Sequence, residues 1–311
     1  MGKVAFLFAG QGAQHPGMCA DLIESEPAAK AVFDVADAVR PGTTEQCLSG
    51  TKEELSQTIN TQPCVFAADL ACARALAARG VTPDVVAGFS LGEVAALTFA
   101  GAYTDEQGFE LVCHRAELMA DAAEKNPGAM RAVVKLDAAT VERLAAEAGE
   151  AWPVNYNSPL QTVVAGTAEA CEKLDLLVKE AKGRAMKVAV SGAFHSPFMA
   201  EAERGLAAYL EGGHAPAEPT VPVLANRTGE PYPSDEAGRV ELLSSQVANP
   251  VQWVRTLQNM AADGVDTFIE VGPGKTLTGL VTRTLEGVTA LPCETAEQLE
   301  AVLAALPKKG E

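Results

Sequence analysis

Gly88-Phe89-Ser90-Leu91-Gly92 holds a serine between two glycines in the G-x-S-x-G pattern. That spacing suits a sharp strand-to-helix turn, where the glycines let neighbouring backbone approach and the strained serine lifts its Oγ above a sheet. With ten serines and 27 glycines in 311 residues, chance alone gives roughly 0.07 occurrences. An ordinary glycine turn is the alternative, and the expected strand before and helix after weigh against it. A serine nucleophile needs a base, and the chain has four histidines, His15, His114, His195 and His214. His214 lies in a polar Gly-Gly-His-Ala-Pro loop and reads as solvated. His15 follows the first glycine turn and fits either a site or a loop. His114 shares a helix with Arg115. His195 stands directly after an expected strand, where α/β proteins place catalytic groups. A lone loop histidine is more often structural than catalytic, so position leaves both readings of His195 open.

Arg115 lies on an expected helix, Glu106–Lys125, with Leu111, Val112 and Met119 three or four positions away, so it shares their apolar stripe. A guanidinium facing a core needs a carboxylate. That partner is either a distant Asp or Glu of the chain or a carboxylate arriving with a substrate, held by the bidentate fork. Gly10-Gln11-Gly12 follows the first strand and offers backbone N–H groups as an oxyanion donor, or a plain turn. Gly272-Pro273-Gly274-Lys275-Thr276 resembles a phosphate loop, but the Walker pattern needs glycine at 269, where Ile269 stands, which excludes nucleotide hydrolysis. There is no GxGxxG, no HExxH and no paired-Cys metal spacing.

The elements that must position these groups form an α/β pattern. Val4–Phe8 reads as a buried strand, Asp69–Arg79 as a helix stopped by Gly80, and Val85–Gly88 as a strand entering the serine turn. Strand, tight turn and helix in succession indicate a parallel sheet. The middle changes character. Strands at Ala129–Leu136, Trp152–Tyr156, Thr162–Ala165 and Ala185–Ser191, with helices at Ala138–Glu150 and Ala168–Lys182, give βαββαβ, the split unit of a ferredoxin-like module. The expected organisation is therefore a large α/β domain from 1–127 and 192–311, with a small inserted subdomain at 128–191. Pro216 to Pro233 reads as extended, Phe268–Val271 as a late core strand, and Lys308-Lys309 as a frayed tail.

Composition narrows the function classes. The chain is 48% hydrophobic and 21% charged, which excludes disorder. No apolar stretch approaches the ~18 to 20 residues of a membrane span, and Gly10, Gln11, Gly12 and Gln14 interrupt the first one before a signal peptide could form. The net charge of −17 opposes nucleic acid as a partner and requires local cations at any anion site. Seven cysteines with no C-x-x-C pair indicate reduced thiols in the cytoplasm, most of them in packing roles.

Over nearly its whole length the chain resembles the malonyl-CoA:acyl carrier protein transacylase family. The matching segments are Phe6-Leu7-Phe8-Ala9-Gly10-Gln11-Gly12-Ala13-Gln14, Thr61-Gln62-Pro63, Gly88-Phe89-Ser90-Leu91-Gly92-Glu93, and Arg115 with Met119. Gly192-Ala193-Phe194-His195-Ser196-Pro197, Gln246 with Asn249-Pro250-Val251-Gln252-Trp253, and Gly272-Pro273-Gly274-Lys275-Thr276-Leu277 follow in order. The resemblance implies an α/β-hydrolase-like core with an inserted ferredoxin-like subdomain. It implies Ser90 as nucleophile, His195 as its general base, and the Gln11 and Leu91 N–H groups as oxyanion hole. It further implies that Arg115 holds a malonyl carboxylate, that Gln246 orients His195 through its backbone carbonyl, and that Met119, Gln62 and Phe194 contact substrate. The Phe194 ring would fill the space that an α-methyl group needs. Two departures stand out: Phe89 replaces the usual histidine and Ala9 the usual proline. Neither touches the serine or its glycines.

The function so implied is malonyl transfer from coenzyme A to acyl carrier protein in fatty acid biosynthesis, with no cofactor, no metal and a monomeric state. A malonyl loader for polyketide synthesis or malonate decarboxylation would look the same, and a serine thioesterase or other hydrolase is the rival chemistry. Carrier proteins are typically acidic, so docking would need a local basic patch, for which Lys182, Arg184, Lys187, Lys275 and Arg283 are candidates.

Overall fold

The computed structural model describes residues 2–190 and 192–306. Its strands are β1 (Lys3–Phe8), β2 (Val85–Gly88), β3 (Ala129–Val134), β4 (Ala151–Ser158), β5 (Gln161–Gly166), β6 (Arg184–Lys187), β7 (Val223–Leu224), β8 (Val265–Val271) and β9 (Thr289–Cys293). They form a five-stranded sheet in the order β7-β2-β1-β8-β9 and a four-stranded sheet in the order β4-β5-β3-β6. All pairings in the first sheet are parallel and all in the second antiparallel. The chain divides into two compact units, one of residues 1–113, 217–224 and 260–311, the other of 114–216 and 225–259.

In the first unit β1 is central, and Ala5, Phe6, Leu7 and Phe8 are all buried, the continuous apolar run of a strand covered on both faces. Phe99, ending the Leu91–Phe99 helix, packs its ring 5.6 Å from Phe6 and 5.8 Å from Phe8. The Thr58–Ala78 helix is buried almost all round, so it is a core helix rather than a surface one. Register matters here: Phe8 lies opposite Gly88 on β2 and Val271 on β8. The segments leaving these three strands therefore emerge side by side at the carboxyl edge of the sheet, where open α/β sheets build their sites.

The second unit contains the βαββαβ module, whose spatial strand order is that of a ferredoxin-like fold. The helices Ala138–Ala148 and Ala168–Glu180 carry Val141, Leu144, Leu174 and Val178 into one apolar core with Val133 and Val164 of the sheet. Side chains of Asp137 and Thr167 cap these helices by accepting from Thr140 and Ala170 N–H. The compact unit reaches well beyond the expected 128–191, taking in the second half of the Asp105–Lys125 helix, residues 192–216 and residues 225–259.

Several elements differ from expectation. The long helix begins at Thr58 rather than near Asp69, with Pro63 inside it. Residues 185–190 do not continue as one strand: the β3 ladder ends at Lys187, and the Val190 N–H turns back to the Val188 carbonyl. Ser191 and the Lys308-Lys309 tail lie outside the described residues. Of the extended Pro216–Pro233 stretch, Val223–Leu224 forms a strand, paired with Val86 and Ala87. None of the seven cysteines is in a disulfide, and Cys113 alone is not buried. Among the described residues no helix is long and apolar enough to cross a membrane.

Candidate active site

In the first unit β2 delivers Ser90 at φ 55° and ψ −108°, a strained backbone for a residue with a Cβ. The flanking glycines make this turn possible. A Cβ on Gly92 would stand 2.5 Å from the Ala9 carbonyl oxygen, and one on Gly88 would overlap the Gly92 backbone. Phe89 N–H bonds the Phe8 carbonyl at 3.0 Å, tying the turn to the end of β1. The helix Leu91–Phe99 starts at once, so the Leu91 N–H is among the amides that helix geometry leaves without an intrahelical acceptor. Its position directly after the serine fits an oxyanion donor. Gln11 follows β1 in the adjacent loop, half-buried, its side-chain Nε2 donating to Thr58 Oγ1 at 3.5 Å. Gln62 is buried on the helix that Thr58 begins.

The second unit brings Arg115, His195 and Gln246 together. Gln246 is fully buried and links the others. Its Oε1 accepts from Arg115 Nη2 at 2.6 Å, its backbone oxygen lies 2.9 Å from His195 Nδ1, and its Nε2 donates to Asn226 Oδ1 at 3.5 Å. A carbonyl oxygen only accepts, so Nδ1 carries the ring proton and Nε2 keeps its lone pair, the tautomer a general base needs. His195 itself has φ 60°, and its N–H donates to the Val247 carbonyl at 3.0 Å. Burial pushes its pKa down to about 4, and the Arg115 charge pushes the same way, against backbone groups of Gln246 and Asn249. The imidazole is therefore neutral at physiological pH. Arg115 is buried, as are Met119 one turn further along its helix and Phe194 beside His195.

The other histidines have other occupations. His15 Nε2 lies 2.5 Å from Glu294 Oε1. His214 stacks on Tyr209 with ring centroids 4.0 Å apart, and His114 lies 4.4 Å from the same ring. The Gly272–Thr276 loop is filled from within: Gly274 N–H donates to Glu294 Oε2, and Leu277 and Thr278 N–H to the two oxygens of Glu270. An anion site at a helix N-terminus is thus occupied by the chain's own carboxylates. Of the candidate docking cations, Lys182, Arg184 and Lys187 belong to the second unit and Lys275 and Arg283 to the first.

Sequence reasoning missed Asn226 and the part Asn249 plays. Asn226 is buried 20 residues before Gln246, a separation without local meaning. Asn249 stood in a quoted segment, yet its influence on His195 comes through the backbone, which residue type does not disclose.

Comparison with known proteins follows the same lines. The acyl transferase domain model matches residues 5–304. A malonyl CoA-acyl carrier protein transacylase of Bacillus subtilis is 35% identical over 317 residues, spanning 100% of this chain and 99% of the relative. Among solved structures, the malonyl CoA-acyl carrier protein transacylase of Clostridium perfringens matches with a TM-score of 0.92 at 35% identity, covering 97% of this chain and 96% of that one. A structure of a type II PKS acyl-carrier protein in complex with its malonyl-transacylase gives 0.94 at 34% identity, covering 98% and 100%.

Proposed function

This chain belongs to the acyl transferase domain family, and from that premise we propose that it moves malonyl groups from malonyl-CoA to the phosphopantetheine thiol of an acyl carrier protein. The observation that carries the substrate assignment is the shared Gln246: one residue holds the buried Arg115 by its side chain and His195 by its backbone. A cation fixed beside the base suits an acyl group that carries its own carboxylate.

Ser90 Oγ attacks the thioester carbonyl while His195 Nε2 takes its proton, and the oxyanion rests on the Gln11 and Leu91 N–H groups. The C–S bond then breaks, and the CoA sulfur leaves with the proton from His195. The carrier thiol reverses the sequence on the malonyl-Ser90 ester. Both thioesters are substrates, and every proton transfer uses a side chain of this protein, so the scheme calls on no resident cofactor. Met119, Gln62 and Phe194 are assigned to the acyl pocket, Phe194 excluding an α-methyl branch. We assign the enzyme to fatty acid biosynthesis as a cytoplasmic monomer. The same chemistry would serve a polyketide loader.

Intact-protein mass after brief exposure to malonyl-CoA tests this reading. One malonyl adduct, absent from Ser90→Ala and discharged by carrier protein rather than water, is the expected result. Rapid CoA release without an adduct would replace the transferase by a hydrolase.

A further inference from the structure

A buried carboxyl group that the reaction scheme does not use lies beneath the carboxyl edge of the parallel sheet. Asp69, on the Thr58–Ala78 helix, has no exposed surface, and neither oxygen has a hydrogen-bond partner of normal geometry among the described residues. Leaving such a group buried costs free energy, so its retention calls for a reason. Its surroundings are specific. A Cβ on Gly272, which has φ 113°, would overlap Asp69 Oδ1, so the turn leaving β8 folds directly over the carboxyl. The same added atom would lie 3.2 Å from the Ala9 side chain, placing Asp69, Gly272 and Ala9 around one point. The Ala9 N–H, which donates to the Val271 carbonyl at a long 3.3 Å, also acts on the Asp69 carboxyl. Burial, with Cys72 and Glu270 adding, pushes the Asp69 pKa well above the ordinary carboxylate value.

Ala9 is the last residue before Gly10-Gln11. On its other side it is fixed by the serine turn, through the close approach of Gly92 to its carbonyl. The end of β1 is thus clamped between the Ser90 turn and the Asp69–Gly272 contact. We propose that Asp69 is a positioning residue for acyl transfer: its carboxyl braces Ala9 and Gly272, and so sets the direction in which the Gln11 N–H leaves the sheet. The inference rests on the proposed role of Gln11 as an oxyanion donor. Donors of this kind act through their fixed orientation before charge develops, so a loosened loop slows the chemical step without weakening substrate binding.

The test compares Asp69→Asn, which keeps the shape and a planar polar head, with Asp69→Leu, which keeps volume but no polar atom. Asp69→Ala stands in if the leucine variant does not fold. The quantity read is the rate constant of serine modification in single-turnover conditions. An unfolded fraction lowers the amplitude of that phase but not its rate constant, which separates positioning from mere stability. Two reagents are used in parallel: malonyl-CoA, and an alkyl fluorophosphonate, whose attack by Ser90 draws on the same oxyanion donors without malonyl recognition. Expected are a wild-type rate for Asp69→Asn and a fall of about 10- to 100-fold with both reagents for Asp69→Leu, short of the ~10²–10³-fold cost of losing a donor outright. The KM for malonyl-CoA stays unchanged. A wild-type rate constant for Asp69→Leu overturns the proposal, as does a rate for Asp69→Asn as slow as the leucine variant's. Wild-type protein that reacts with the fluorophosphonate but not with malonyl-CoA would instead overturn the malonyl assignment, and the phosphonylation rates would still judge Asp69.

Discussion

Arg115 is buried, and its Nη2 donates to the neutral side-chain oxygen of Gln246. In the proposed role, a malonyl carboxylate would pair with that charge and an acetyl methyl would not. Arg115→Ala should therefore cost malonyl transfer about 2 to 5 kcal/mol in kcat/KM, the usual loss when one member of a buried charged pair is removed. Acetyl transfer should change far less. Equal losses for both acyl groups would remove Arg115 from substrate recognition. His195 supplies a second prediction at this scale. Its folded pKa is near 4 against an ordinary 6.5, so the free base is present down to strongly acidic pH, and the acid limb of kcat/KM should lie near 4. The same shift affects stability. Between 6.5 and 4 the unfolded chain takes up a proton that the folded histidine refuses, so stability falls as pH drops through that window. Denaturant titrations across this window should show a shallower fall for His195→Gln; an unchanged slope would mean the imidazole is not buried neutral.

The serine turn and the strand beside it work as one element. Gly92→Ala drives a Cβ to 2.5 Å from the Ala9 carbonyl oxygen, a collision with backbone that no rotamer relieves. Overpacking of this kind costs about 1 to 3 kcal/mol or more. Gly92→Ala should lower the melting temperature and abolish serine acylation together. Gly212→Ala is the control, because nothing lies within 4 Å of the added atom. A fully active Gly92→Ala protein would show that the turn has room to spare. This turn was legible in the sequence because all its determinants sit within five residues. Strands β1 and β8 were legible as apolar runs, and the βαββαβ order as alternating helix and strand patterns. The first turns of the Thr58–Ala78 helix were not. Pro63 and the polar Thr61 and Gln62 look like a break, and only their burial in the core overrides that local preference. Strand β7 is two residues long and exists only because β2 offers an edge to pair with. The Arg115–Gln246–His195 arrangement joins residues 131 and 51 positions apart, so spacing was silent and only the family resemblance pointed to it. Asp69 gave no sign at all: an aspartate in a helix reads as surface.

For the molecule as a whole, the sequence suggested a small insertion in a large domain, whereas the fold divides into two units of comparable size. The difference lies in residues 114–127, 192–216 and 225–259, which the sequence pattern placed in the large domain but which pack in the unit that holds His195. One consequence comes from the cysteines. Six of the seven thiols are buried and none is in a disulfide, yet they are unevenly distributed. Cys171 belongs to the second unit, while Cys19, Cys47, Cys64, Cys72 and Cys293 belong to the first. The protein thus carries its own internal gauge of opening. Under native conditions an alkylating reagent should label Cys113 first. As denaturant is raised, five labels should arrive with loss of the first unit and one with loss of the second. A mass spectrum taken at each step would then report, from a single unmodified chain, whether the halves that hold Ser90 and His195 melt in one transition or in two.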